Sequence, residues 1–263
     1  MSKLFKPPIL SHKYHQETSV FHPENLMREA RRQKNIPVCN VPEVCVLDPD
    51  GDLIRYLKSK GKAELNKCWA CYHSELYNYE LDGQEIGIIP CVVGAPYAVL
   101  VAEQLFVAGC QLLISVTSSG ILTEEPIPKQ FAVITESIRD EGTSYHYLPL
   151  EQPSRLSESL LSQLRDATDK EGVLFFEAKS WTTDAPYRET QSAIEAMKKI
   201  QVVCVEMEAA ALYAYAEISQ NDIICFAHLT NTMAQTEGDF EKGDEFGSLD
   251  TINLISQTLD LLG

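Results

Sequence analysis

Short runs without charge, bounded by glycine, proline or acidic turns, recur along the chain and alternate with longer stretches of helical spacing. VCVL (44–47) predicts a strand, then a turn DPDGD and a helix through Leu57. IGIIPCVV (86–93) predicts a second strand, and GAPYAVLVAEQLFVAG (94–109) a helix with Pro96 in its first turn and Gly109 as its stop. CQLLISVT (110–117) predicts a buried strand ending in SSG, and FAVITES (131–137) another before the loop IRDEGTSYHYLP (138–149). A helix over 154–170, a strand over 172–178, a loop KSWTTDAPYRET (179–190) and a helix over 189–200 follow. Strand 202–205, helix 206–219, strand 222–228 and a terminal helix 248–262 complete the pattern.

Strands that read as continuous apolar runs and alternate with helices argue for a mainly parallel, mixed central sheet covered on both faces, a three-layer α/β/α class. Residues 1–42 stand apart, being polar, dotted with Pro and His, and basic from Arg28 to Lys34. They read as an N-terminal arm with one short helix, wrapping the domain or a neighbouring subunit. Residues 43–263 read as one domain, a size that α/β folds often reach as a single unit.

A net charge of −16 argues against nucleic acid as a partner, because phosphate backbones need clustered Lys and Arg. MSKLFKPPIL has no long apolar core, and no apolar run approaches a membrane span. The eight cysteines fall mostly in apolar strand-like runs, which reads as free buried thiols and a cytoplasmic location. CWAC (68–71) is a lone CxxC, and although His73 is near, a structural zinc wants a second ligand pair.

Candidate chemistry collects where strands end, which in open α/β sheets is where ligands sit. VEMEAAALYAYA (205–216) places Glu206, Met207 and Glu208 at a strand-to-helix crossing. Two readings stand: carboxylates complementing a helix N-terminus, or carboxylates accepting hydrogen bonds from neighbouring sugar hydroxyls beside a soft methionine. Gly94 marks a turn whose backbone N–H groups face outward, or a plain helix start. TSSG (117–120) offers the hydroxyls of Ser118 and Ser119 to an anion or a water, or caps a turn. Asn231 ends a strand with a group that both donates and accepts. The loop 179–190 carries Trp181, Asp184 and Arg188, the tryptophan packing either on a base ring or in the core.

Together, VEMEAAALY, CVLDPDGD, CVVGAPYAVLVAEQLFVAGCQLLISVTSSG and RDEGTSYHYLP resemble the nucleoside phosphorylase family, the group of uridine phosphorylase, purine nucleoside phosphorylase and methylthioadenosine nucleosidase. The resemblance runs from about Val44 to the C-terminal helix. It implies a homo-oligomer that cleaves the N-glycosidic bond of a small-molecule nucleoside, with neither metal nor organic cofactor. By the same resemblance Glu208 and Met207 hold the ribose with Glu206 beside them, Trp181 packs on the base, and Arg188 lies close to a uracil-binding position. Asn231 matches the leaving-base position, and the loop 138–149 matches a subunit contact.

The chain also departs from that pattern. The family's phosphorylases hold phosphate with arginines at positions where this chain has Gly51 and Ser115, and with a third from CYHSELY (71–77), which has none. Without these bidentate contacts the acceptor is phosphate or water, with Gly94, Ser118, Ser119 and at most His73 to cradle it. The missing arginines set water modestly ahead, although the family resemblance itself points to phosphate. Asp48 or Asp50 is then the candidate to activate it, as an early glutamate does in the nucleosidase branch. A non-catalytic nucleoside-binding or sensing protein on the same fold is the alternative reading.

Overall fold

The computed structural model describes residues 8–11, 13–168, 172–233 and 237–263. The start of the expected arm and the end of the helix expected over 154–170 therefore lie partly outside the described residues. Helix α1 (Pro23–Lys34) precedes strand β1 (Val44–Asp48), helix α2 (Asp52–Ser59) and the strands β2 (Glu64–Leu65), β3 (Tyr77–Leu81) and β4 (Gln84–Pro90). Then come α3 (Ala95–Val107), β5 (Leu112–Ile121), β6 (Phe131–Asp140), β7 (Ser154–Arg155) and α4 (Glu158–Thr168). The chain continues through β8 (Phe175–Thr183), α5 (Gln191–Lys199), β9 (Cys204–Glu206), α6 (Ala209–Ser219), β10 (Asp222–Asn231) and α7 (Ser248–Leu262).

One mixed sheet gathers all the described strands. Strands β4, β1, β5 and β10 lie side by side in parallel, so their carboxyl ends open on one edge. The sheet then turns back on itself: β10 pairs with β6, β6 with β8, β8 with β9, and β9 returns antiparallel to β5. That return brings Val205 opposite Gly120, and so sets the VEME segment against the end of β5. β1 is buried at all five positions, the charge-free run Val44–Leu47 and the Asp48 that ends it.

Two helix groups cover the sheet. Helices α1, α3 and α6 pack in series, and α2, α4 and α7 form the other group. Helix α6 is buried continuously from Ala209 to Tyr215, which explains its run of alanines: only small side chains let it sit so close to β6, β8 and β10.

Several features differ from the sequence expectation: β5 runs on to Ile121, β6 to Asp140 and β10 to Asn231, so TSSG and HLTN are strand rather than turn. β8 runs on to Thr183, so Trp181 sits on a strand opposite Ile138 rather than in a loop. Ser154–Arg155 pairs with β6, and the helix starts only at Glu158. The β2–β3 ribbon was not expected, since its polar alternation (YNYEL) carries no apolar run. The cysteines are not all free: Cys39 and Cys68 form a disulfide that ties the end of the arm to the 66–76 loop, so CWAC does not pair within itself. Among the described residues, no helix is long and apolar enough to cross a membrane.

Candidate functional site

Two neighbouring glutamates behave in opposite ways. Glu206, 3% exposed at the end of β9, is saturated with donors. Its Oε1 accepts from the hydroxyls of Ser180 (3.0 Å), Ser137 (3.4 Å) and Thr182, and its Oε2 from the backbone N–H groups of Glu208 and Ala209, each at 2.7 Å. Thr182 Oγ1 in turn accepts the N–H of Ala210 at 2.9 Å. Glu206 therefore bonds the start of α6 to β6 and β8, and both its oxygens are taken.

Glu208, the residue before α6, is 1% exposed and only half engaged. Its Oε1 accepts the N–H of Gly94 at 2.7 Å, whereas its Oε2 is buried and makes no hydrogen bond, the nearby Thr117 hydroxyl being directed to the Ser118 carbonyl. A buried carboxylate oxygen left unbonded costs roughly 1–3 kcal/mol or more, so such a group points to a ligand. Burial, and then the charge of Glu206, push the Glu208 carboxyl up to about 8, while the Gly94 N–H and the Thr117 hydroxyl pull the other way. Burial raises Glu206 too, opposed by its donors. With five donors on Glu206, the charge of the pair belongs there and the proton on Glu208.

Gly94 stands at φ 92° and ψ 144°, with open space where a Cβ would lie. Only glycine adopts this backbone readily, and it lets the N–H reach Glu208. On the next strand, Ser118 Oγ is buried without a partner, and Ser119 Oγ donates to the Thr117 carbonyl. The parallel register sets His228 opposite Ser118 and Asn231 opposite Gly120, with a bulge at Thr230 between. Asn231 Oδ1 accepts the Met233 N–H at 2.9 Å and its Nδ2 donates to Thr230 Oγ1 at 3.1 Å, leaving one amide hydrogen for a ligand.

The turn after β1 carries the two water-activating candidates, Asp48 and Asp50, and gathers charged groups around them that the sequence did not single out. Asp48 spends both oxygens on the N–H groups of Gly51 and Ile54, each at 3.0 Å, and burial raises it to about 6. Asp50 Oδ2 accepts the Ser118 N–H at 3.2 Å, and Lys242 Nζ lies 3.1 Å from the same oxygen. Lys242 also sits 2.5 Å from Asp52, which binds Arg55 at 2.6 Å. His228 closes this crevice, its imidazole held down at about 4 by burial and by Lys242. Lys242 comes from a polar stretch, EKGDEF, that carries no periodicity to mark it. His228 stood in the strand-end HLTNTM, where only the position was informative.

The remaining candidates are spread more widely. Met207 is half-buried beside Glu208. Trp181 is 3% exposed, packed with Leu122, Val202 and Val205 under α5, and donates Nε1–H to Asp140 at 2.9 Å. Met233 packs on the same cluster and reaches toward Gly120, linking it to the Asn231 end. Asp184 accepts the Gly142 N–H at 2.8 Å, Arg188 is exposed in a short 3-10 turn, and His73 is exposed with its carbonyl bonded to Tyr97. At position 51 a Cβ would lie 2.8 Å from Arg55 Nη1 and from Cys91 Sγ, and the backbone there has φ 72°, which favours the glycine present.

The described site, from Asp48 to Asn231, falls within residues 43–255, which match the family model of the phosphorylase superfamily. Among characterised relatives, a guanosine phosphorylase of Halorubrum lacusprofundi is 25% identical over 142 residues, 54% of this chain and 59% of its own length. A uridine phosphorylase of Thermococcus kodakarensis is 23% identical over 64% of this chain and 69% of its own. This chain thus aligns with less than two thirds of the first of these. Solved structures share the fold. A uridine phosphorylase from Vibrio fischeri superposes with a TM-score of 0.68 at 18% identity, covering 85% of this chain and 91% of that one. A purine nucleoside phosphorylase from Toxoplasma gondii in complex with immucillin-H gives 0.68 at 16% identity over 84% and 90%. On the match over 43–255, this chain belongs to the phosphorylase superfamily, together with the nucleoside phosphorylases.

Proposed function

We propose that the chain cleaves the N-glycosidic bond of a nucleoside and passes the ribosyl group to water in preference to phosphate. The observation that carries the nucleoside reading is the buried, unpartnered Oε2 of Glu208 beside the open space at Gly94. A vicinal diol supplies the donors that this oxygen lacks, and half-buried Met207 offers the sugar an apolar face. The nucleoside phosphorylases and the uridine phosphorylases among its relatives support the substrate class.

In the step itself the C1′–N bond breaks, its electron pair leaves with the base, and a water oxygen bonds to C1′. The free Asn231 amide hydrogen stabilises charge building on the base, and the base then takes up a proton. Asp50, the carboxylate at Ser118, accepts the proton that the water gives up. Asp48 is unsuited to this, because both of its oxygens are committed to backbone N–H groups. Acceptor preference rests on charge: Asp48, Asp50 and Asp52 outnumber Lys242 and Arg55 around the turn, and the positions 51 and 115 carry glycine and serine.

The active unit is a homo-oligomer. The arm and the loop 138–149 meet through Lys13–His146 and His15–Tyr145 contacts, and Val20, Phe21 and Leu150 stay widely exposed beside them. A second copy covering these side chains is the natural partner. A panel of purine and pyrimidine nucleosides, assayed with and without phosphate for free base and for the sugar product, tests the function. Free ribose without added phosphate is expected. Ribose 1-phosphate as the main product would overturn the choice of acceptor, and tight binding without base release would make the chain a nucleoside-binding protein.

A further inference from the structure

We infer that Asp50 selects the acceptor: its carboxylate, tethered to the turn after β1, occupies the backbone donor that an incoming oxyanion needs, with Lys242 as its built-in counter-ion. This rests on the nucleoside-cleaving reading of the same site. Ser118 lies on β5 beyond the stretch paired with β1, and its N–H is already bonded to Asp50 Oδ2 at 3.2 Å. Ser118 Oγ is buried without a partner on the residue that Asp50 holds, and the Asp50 charge acts on the half-engaged Glu208, so the carboxylate borders the candidate site.

Lys242 explains how a carboxylate is held there. Its side chain is only 12% exposed, and its Nζ is shared between Asp50 at 3.1 Å and Asp52 at 2.5 Å. The loop that carries it is fastened at both sides. Glu241 N–H donates to the Thr230 carbonyl, and Gln130, itself bonded to His228, donates to the Lys242 carbonyl. The other nearby cation, Arg55, is bound to Asp52 and to the Asp50 carbonyl. Every positive charge around the turn is therefore engaged by a carboxylate of the same turn. A phosphate would have to displace Asp50 from both Ser118 and Lys242 while facing its charge, whereas a water needs only a hydrogen-bond acceptor, which Asp50 provides.

The test is binding of inorganic phosphate, without nucleoside, to the full chain and to Asp50→Ser, Asp50→Asn and the double variant Asp50→Ser/Lys242→Gln, by calorimetry, with circular dichroism to confirm folding. Wild type is expected to bind phosphate no tighter than the double variant. Asp50→Ser, with Ser118 N–H and Lys242 released, is expected to bind at least about tenfold tighter, the scale set by removing one like charge at short range. Asp50→Asn, which keeps shape but not charge, should fall between them. Submillimolar phosphate binding by wild type, or folded Asp50 variants with no gain, would overturn the proposal. Because no nucleoside is present, these outcomes are independent of whether the chain cleaves one; that reading fails separately, if no base is released from any nucleoside.

Discussion

At the scale of single residues, the two glutamates show how far environment outweighs residue type. Glu208 keeps a proton that Glu206 has lost, and this has consequences for pH. A carboxyl raised from about 4.5 to about 8 on folding favours the folded state most at low pH, where it is protonated in both states. That contribution fades as pH rises from about 5 through 8, because the unfolded chain ionises first. Wild type should lose up to a few kcal/mol of stability across that window, and Glu208→Gln should show a flatter profile, read by urea denaturation at several pH values. A parallel profile for the two proteins would mean that Glu208 does not hold the proton. His228 acts at the acid end: with its imidazole lowered to about 4, its contribution is present above about 6.5 and lost as pH falls toward 4.

Ligand binding reads the same group. A ribose diol donates to Oε2 and so favours the charged form, which means that nucleoside binding near neutral pH should expel protons. Calorimetry in buffers of different ionisation enthalpy measures this release, and Glu208→Gln should abolish it. Glu208→Ala should weaken ribosyl-ligand binding by about 1.5–3 kcal/mol, the worth of a hydrogen bond to a charged group. Unchanged affinity would return Glu208 to a helix-end role.

At the scale of elements, Glu206 is a joint between two strands and a helix. Glu206→Ala would leave the Ser137, Ser180 and Thr182 hydroxyls and two N–H groups buried without their acceptor. A loss of about 3–5 kcal/mol is expected, seen as a shifted denaturation midpoint. A loss under about 1 kcal/mol would show that water replaces the carboxylate there. The sequence marked the VEME crossing but assigned both glutamates toward the sugar. What separated them was the continuation of β8 through Thr183, which delivers Ser180 and Thr182 to Glu206. That strand was hidden because KSWTT reads as polar, although its closing positions are buried. The strong apolar runs were legible for the opposite reason: β1, α3 and α7 carry patterns that only one kind of packing satisfies. Asp50 and Lys242 illustrate the limit, since a contact between two polar turns separated by most of the chain leaves no mark on either.

At the scale of the whole molecule, closure of the sheet is what assembles the site. β5 contributes Ser118, β10 contributes Asn231, and the crossing from the returning β9 into α6 contributes Glu208, so the ligand-facing groups depend on pairings far apart in sequence. If the arm and the loop 138–149 form the subunit interface, light scattering should show an assembly larger than one chain, and Phe21→Asp should dissociate it. A fully active single chain would remove the interface.

The bridge between Cys39 and Cys68 closes a loop with a sequence separation of 29. On the chain-entropy account such a loop is worth about 3–4 kcal/mol, so a reductant, or Cys39→Ser, should lower the melting temperature by several degrees. The same cross-link holds the segment behind α1 against the 66–76 loop, next to the exposed His73 and Tyr72. In an oxidising medium the arm is clamped there; where thiols are kept reduced, only packing such as that of α1 on α3 retains it. How firmly the arm is held is thus decided by the thiol chemistry of the surroundings.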